Sequence, residues 1–185
     1  EPDPAIANRR LFWPRGKVLG GSSSINAMIY HRGQAKDYND WQSAGNPGWG
    51  YGAVRLVYES FEDFSTTSLS RRSQDSGIPP ENRLSIHDAS ADYHSLKNDF
   101  AKAFSQAGLA RPDDICLEGE GVGPYLITTR AGKRCSSATA FLHPVSDRSN
   151  LKILTNTTVT KINTKERTAI GVTCLLDDNP VEIRA

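Results

Sequence analysis

Residues Gly20-Gly21-Ser22-Ser23-Ser24-Ile25-Asn26 set two adjacent glycines, three hydroxyls and an amide behind a basic turn, Trp13-Pro14-Arg15-Gly16-Lys17. That composition suits the approach of an anionic ligand. Glycine lets backbone come close to a phosphate and take positive φ, and N–H groups at a helix start attract negative charge. Arg15 and Lys17 could neutralise such a ligand or simply sit in solvent; solvent is the favoured place for Lys17, and Arg15 is left open. An ordinary Gly/Ser loop capping a helix has the same local composition, so residues beyond the loop must decide. The apolar run Ile25–Tyr30 is expected to continue as that helix, with Ser22 or Ser23 as its N-cap.

Other residues that do chemistry are scattered. Cys116, Cys135 and Cys174 are odd in number, widely spaced and without a CxxC, and His31, His87, His94 and His143 show no ligand spacing with them. Neither a disulfide framework nor a metal site is indicated, and buried thiols in a reducing compartment are expected. His143, just before Pro144 at a helix end, reads as a cap or surface residue, and His31 as structural. Asp113, Asp114, Glu118 and Glu120 read as solvated loop acids. No GxSxG nucleophile elbow occurs, although counting residue types does not by itself exclude a Ser-His-Asp triad.

The elements that must position the glycine loop follow from periodicity. Asp37–Ala44 reads as a short helix stopped by Gly45, followed by an Asn46-Pro47-Gly48 turn. Tyr51–Phe64 is expected as a second helix, since Val54, Val57, Tyr58 and Phe61 recur at helical spacing. Residues 65–82 lack periodicity and read as an exposed loop. Leu84–His87 alternates like a strand. Tyr93, Leu96, Phe100, Ala103, Phe104 and Ala107 share one face of a helix ended by Gly108, a stripe expected to be core. Val122–Arg130 is expected as a strand leading into an Ala131-Gly132-Lys133 turn. Ser136 or Ser137 should cap a helix through Phe141. Leu151–Thr155, Val159–Asn163, Ala169–Leu176 and Val181–Ile183 form a strand-rich tail, with a turn at Asp177–Pro180. Helices and strands mixed without regular βαβ alternation imply an α+β (mixed α/β) fold.

With 185 residues, 37% of them hydrophobic and 23% charged, the chain has a modest apolar supply. A chain this long can still bury roughly 70% of its unfolded surface. A net charge of +1 lacks the clustered basic face that nucleic acid requires. No apolar run reaches membrane length, and no charged-then-apolar leader opens the chain; the thiols read as reduced make a cytoplasmic setting the expectation. The sequence opens on Pro-rich Glu1–Pro4 without Met and stops within an apparent strand, Val181–Ala185. Both ends read as cuts in a longer protein.

The full string Gly16-Lys17-x-Leu19-Gly20-Gly21-Ser22-Ser23-x-Ile25-Asn26 resembles the first signature of the glucose–methanol–choline (GMC) family of flavin oxidoreductases. The likeness continues through Tyr30-His31-Arg32-Gly33, Asp37-Tyr38-x-x-Trp41 and Gly45-Asn46-Pro47-Gly48-Trp49-Gly50-Tyr51. Later segments that fit are Gly119–Tyr125, Arg134-Cys135-Ser136-Ser137-Ala138 leading into Ala140–Pro144, and Asn150–Thr155. The likeness is weakest over 65–80.

The resemblance implies part of a Rossmann-like FAD-binding domain together with part of a substrate domain. Residues 1–50 would hold the signature loop and helix, 51–148 the substrate-domain segment, and 149–185 a strand-rich return to the FAD-binding domain. Val18, Asn26, Ala27 and Met28 would meet the flavin, with Gly20, Gly21, Ser22, Ser23 and Arg15 at the phosphate or ribose. Val159 would meet adenine through its backbone, though by itself it is a strand valine. Some family members attach flavin covalently through a histidine just before the signature Asn; Ile25 stands there in this chain, which implies dissociable FAD. The implied activity is oxidation of a primary alcohol at its CH–OH group, of the choline-dehydrogenase-like kind, with the catalytic His pair outside the chain. A hydroxynitrile-lyase-like flavoprotein and a non-enzymatic nucleotide-binding module remain the alternatives. Oligomeric state is left open.

Overall fold

The computed structural model describes residues 4–64, 77–111 and 121–184. It divides into two compact units, residues 1–145 and 146–185. Residues 65–76 of the expected loop, and the acids at 113, 114, 118 and 120, lie outside the described residues.

In the first unit, helix α1 spans Ala35–Ser43 and helix α2 spans Tyr51–Phe61. α1 starts two residues earlier than periodicity suggests, because a Gln34/Asp37 capping box fixes its first turn: the Gln34 N–H donates to Asp37 Oδ2 at 2.8 Å. The two helices meet through aromatic rings, with Tyr38 of α1 stacked on Tyr51 at 6.1 Å and edge-on to Tyr58 at 6.4 Å, both on α2. Such pairs add about 0.5–1.5 kcal/mol beyond their burial. α2 stops at Phe61, short of the expected Phe64, because Glu62 turns to extended backbone and Glu62–Asp63 forms strand β2.

Six further short strands surround these helices: β1 (Ile29–Tyr30), β3 (Leu84–Ser85), β4 (His87–Asp88), β5 (Leu126–Ile127), β6 (Thr129–Arg130) and β7 (Lys133–Arg134). β5 lies between β1 and β4 and runs antiparallel to both, pairing Tyr30 with Leu126 and His87 with Ile127. β2 and β3 pair in parallel. Among the described residues, Tyr30, Phe64, Ile86 and Leu126 form a hydrophobic core cluster, with Leu84 packed against it. β6 and β7 form a hairpin whose two turn residues, Ala131 and Gly132, both take positive φ. That conformation matches the twist of the flanking strands. The expected long strand Val122–Arg130 is thus two short ones.

Helix α3 spans Leu96–Gln106. Its apolar stripe is not core among the described residues, contrary to the expectation from periodicity. Leu96 is 63% and Phe100 60% exposed, whereas Ala101 is buried. The stripe instead lines one wall of an open cavity of about 610 Å³, faced by Val122, Pro124 and Tyr125. Further on, a π-helical turn at Ala138–Leu142 replaces the expected α-helix. Ser136 Oγ accepts the Thr139 N–H near its start.

The second unit is an antiparallel meander of β8 (Thr157–Lys165), β9 (Thr168–Leu176) and β10 (Asn179–Arg184), with β9 in the middle. Asp177 and Asp178, both at positive φ, make the tight turn between β9 and β10 that the Asp-Asp-Asn-Pro run foretells. Leu151–Thr155, expected as a strand, has no strand partner among the described residues.

Candidate functional site

The glycine loop is closed by its own side chains. Gly21 N–H donates to the Val18 carbonyl at 2.8 Å, Gly16 N–H to Ser22 Oγ at 3.2 Å, and Ser24 Oγ to the Leu19 carbonyl at 2.9 Å. Ser23 Oγ donates to the Gly20 carbonyl. The hydroxyls therefore stitch the loop rather than cap a helix. The cap position belongs to Gly20, at φ 89°, ahead of a single 3-10 turn, Gly21–Ser24.

The expected helix Ile25–Tyr30 is absent for a local reason. Asn26 Oδ1 accepts the Met28 N–H at 3.0 Å, an Asx turn that captures a donor a helix would need. Met28 follows at φ 62°, and Ile29–Tyr30 leave as β1. Thr128 N–H then donates to the Met28 carbonyl at 2.8 Å, so the unusual conformation is held from both sides.

The two adjacent glycines do different work. A Cβ on Gly20 would stand 2.5 Å from Ser24 Oγ and 3.2 Å from Ala138 Cβ, so this position faces the packed interior. A Cβ on Gly21, at φ 54°, would meet nothing within 4 Å. The space beside the Gly21 Cα is thus open, while its N–H is already engaged by Val18. A second close approach occurs at Gly16, where a Cβ would overlap the Gly21 carbonyl.

A second segment, distant in sequence, fixes the loop. Arg134 Nη1 donates to the Ser23 carbonyl at 3.2 Å and to Asn26 Oδ1 at 2.6 Å. Ser137 N–H donates to Ser23 Oγ at 3.0 Å, and Ser137 Oγ to the Gly20 carbonyl at 3.2 Å. Arg134 and Ser137 belong to the Arg-Cys-Ser-Ser-Ala string, noted in the sequence without a site role. Its pairing with the glycine loop is the part of the site that sequence reading missed.

Around the loop lies an uncovered apolar face. Val18 is 56%, Ile25 50% and Phe12 91% exposed, and the Arg15 guanidinium stacks 5.3 Å from the Trp13 ring centre. Ser22, Asn26 and Ala27 are exposed as well, while Met28 is half-buried. Apolar surface, the free space beside Gly21 and the cations Arg15 and Lys17 together suit a ligand that is partly flat and apolar and partly anionic. The structure brings Arg15, Val18, Gly20, Gly21, Ser22, Ser23, Asn26, Ala27 and Met28 into this one region. Val159 lies in the other unit, exposed on β8 and paired with Cys174.

Beyond the loop, Arg32 and Glu62 form an ion pair of which both members are buried. Arg32 Nε donates to Glu62 Oε1 at 2.8 Å, and its guanidinium lies 5.2 Å from the centre of the Tyr58 ring. Burial lowers the Arg32 pKa from its ordinary value. Burial, and then the hydrogen bond with Tyr38, push the Tyr58 hydroxyl up to about 12. These groups tie the end of β1 to the end of α2. His31 and His143 are exposed. Among the described residues no group of three His, Cys, Asp or Glu is placed to hold a metal. No described helix is long and apolar enough to cross a membrane.

Comparison with known proteins places this architecture among oxidoreductases. It superposes over all of its length on pyridoxine 4-oxidase from Mesorbium loti, with a TM-score of 0.82, 29% identity and 36% of that protein covered. The chain belongs to the GMC oxidoreductase family, whose model matches residues 4–184. It is 40% identical over 172 residues to the alcohol dehydrogenase [acceptor] of Pseudomonas putida, covering 92% of this chain and 30% of the relative. Mitochondrial choline dehydrogenase of Mus musculus is 39% identical over 178 residues, covering 96% of this chain and 29% of the relative. The chain thus spans about 30% of the length of the curated relatives it matches.

Proposed function

We propose that this chain supplies part of the FAD site of an oxidoreductase that acts on the CH–OH group of a primary alcohol. The observation that carries the reading is the open space beside the Gly21 Cα next to exposed Val18 and Ile25, on a loop pinned from behind by Arg134 and Ser137. These residues fit FAD, which combines an anionic pyrophosphate with a flat, largely apolar ring. FAD supplies the hydride acceptor when bound. The chain's own groups bind and orient it. Gly20 to Ser23 and Arg15 lie toward the phosphate and ribose, Asn26 to Met28 toward the ring, and Val18 and Ile25 keep water from it. Val159 meets adenine through its strand backbone. The relatives' names, alcohol dehydrogenase and choline dehydrogenase, support the substrate class.

In this reading residues 1–50 belong to the FAD-binding domain, 51–148 to the substrate domain, and 149–185 to the FAD-binding domain again. Cys135 and Cys174 are buried and unbridged, which supports a reducing setting such as the cytoplasm.

Two results are expected. A protein that completes this chain to its relatives' length should bleach its flavin under anaerobic primary alcohol. The 185-residue chain alone should not reduce dye with excess FAD and a panel of alcohols, since no described group is placed as a base. Turnover by the chain alone that survives repurification, or a completed protein that stays yellow under every alcohol, would overturn the reading. FAD should also be dissociable, because Ile25 offers no nucleophile. Acid precipitation of the completed protein should leave the yellow colour in the supernatant, and colour in the pellet would show a covalent bond.

A further inference from the structure

Asn26 is held in one of its two amide orientations. Two donors converge on a single side-chain atom: Arg134 Nη1 at 2.6 Å and the Met28 N–H at 3.0 Å. Only an oxygen can accept both, because the amide nitrogen is itself a donor. Flipping the amide would set N–H groups against N–H groups. Arg134 enters from β7, and the same nitrogen also donates to the Ser23 carbonyl, which ties the guanidinium to the loop. Among the described residues Arg134 takes part in no ion pair, so its orientation is set by these neutral acceptors.

The other end of the amide is the consequence. Asn26 is exposed, and among the described residues its Nδ2 donates to nothing. We propose that Arg134 is a positioning residue that locks the Asn26 amide with its oxygen inward, so that Nδ2 is presented as a fixed donor to an acceptor on the bound cofactor. The acceptor class is a ring carbonyl or ring nitrogen, of which an isoalloxazine carries several. This deepens the assignment of the Gly16–Met28 loop to FAD and rests on it. The device also explains why a non-glycine residue, Met28, sits at φ 62°. That conformation costs of order 1–3 kcal/mol and persists where its surroundings over-determine it. Here the Met28 N–H serves as the second donor of the lock.

The test is made on the completed protein, stripped of FAD and titrated with it by flavin fluorescence, with melts of each apoprotein alongside. Asn26→Asp keeps an acceptor for Arg134 and for the Met28 N–H but removes the outward donor. Its apoprotein should melt no lower than the parent's, while FAD affinity falls about tenfold, the upper range for one hydrogen bond. Arg134→Met frees the amide to flip and should weaken FAD about three- to tenfold. In an Asn26→Ala background the same change should add less than twofold, since the two side chains act as one unit. Arg134→Lys keeps one donor toward Asn26 Oδ1 and should bind FAD better than Asn26→Ala does, which covers the case of a Met variant that does not fold. An Asn26→Asp protein with undiminished affinity, independent effects of Arg134 and Asn26, or a Lys variant as weak as Asn26→Ala would overturn the lock. If Asn26→Ala and a folded Gly21→Val both bind FAD like the parent, the loop assignment itself falls. If those two weaken binding while Asn26→Asp and Arg134→Met do not, the lock alone falls.

Discussion

Gly21→Val, in a protein that completes this chain to its relatives' length, is expected to abolish FAD retention, with affinity reduced at least about 100-fold, while the protein still folds. A Cβ at this position would meet no protein atom within 4 Å, so the added side chain enters the space assigned to the cofactor. Its conformational cost is separate. A β-branched residue at φ 54° is strained by about 1–3 kcal/mol, which lowers the melting temperature without unfolding an ordinarily stable domain. Gly20→Ala gives the contrast. There the added Cβ presses on Ser24 Oγ and Ala138, so stability falls first and FAD binding follows from the damaged loop. Thermal melts with and without FAD separate the two. A folded Gly21→Val protein with a full FAD-induced shift would defeat the assignment.

Glu62→Ala is expected to cost about 3–5 kcal/mol of stability, enough to unfold a marginal domain. The substitution leaves the Arg32 guanidinium buried beside the Tyr58 ring without its carboxylate partner. Pairing it with Arg32→Met should recover most of the loss, because removing both charges is far cheaper than stranding one. Urea unfolding of the two variants measures this directly. A loss below about 1 kcal/mol in the single variant would show that Arg32 reaches water or another acid.

The sequence made the glycine loop legible because its types and spacing are dense: Gly16, Gly20 and Gly21 each occupy a place where a side chain is either crowded or strained. What it hid was the exit from the loop. Ile25–Tyr30 has helical composition, yet one Asx turn at Asn26 diverts the chain into a strand. That turn is local, but the same amide oxygen also accepts from Arg134, 108 residues away, and no local window contains that partner. The α3 stripe failed differently. Its period is helical, as read, but periodicity states only that Leu96 and Phe100 share a face, not what covers that face. The turns fared best, since Gly132, Asp177 and Asp178 take the positive φ that their residue types accept, while Ala131 is carried into it by the two-residue hairpin. Val159 falls within an expected strand, and its role toward adenine rests on family resemblance.

Hydrogen exchange on the completed protein, compared with and without FAD, tests the central assignment most directly. The account predicts slowed exchange on FAD binding at the amides of Gly20 to Met28, and on the Arg134–Ser137 segment that braces them. Protection confined to other parts of the protein, with the Gly20–Met28 amides exchanging at the same rate in both states, would contradict it.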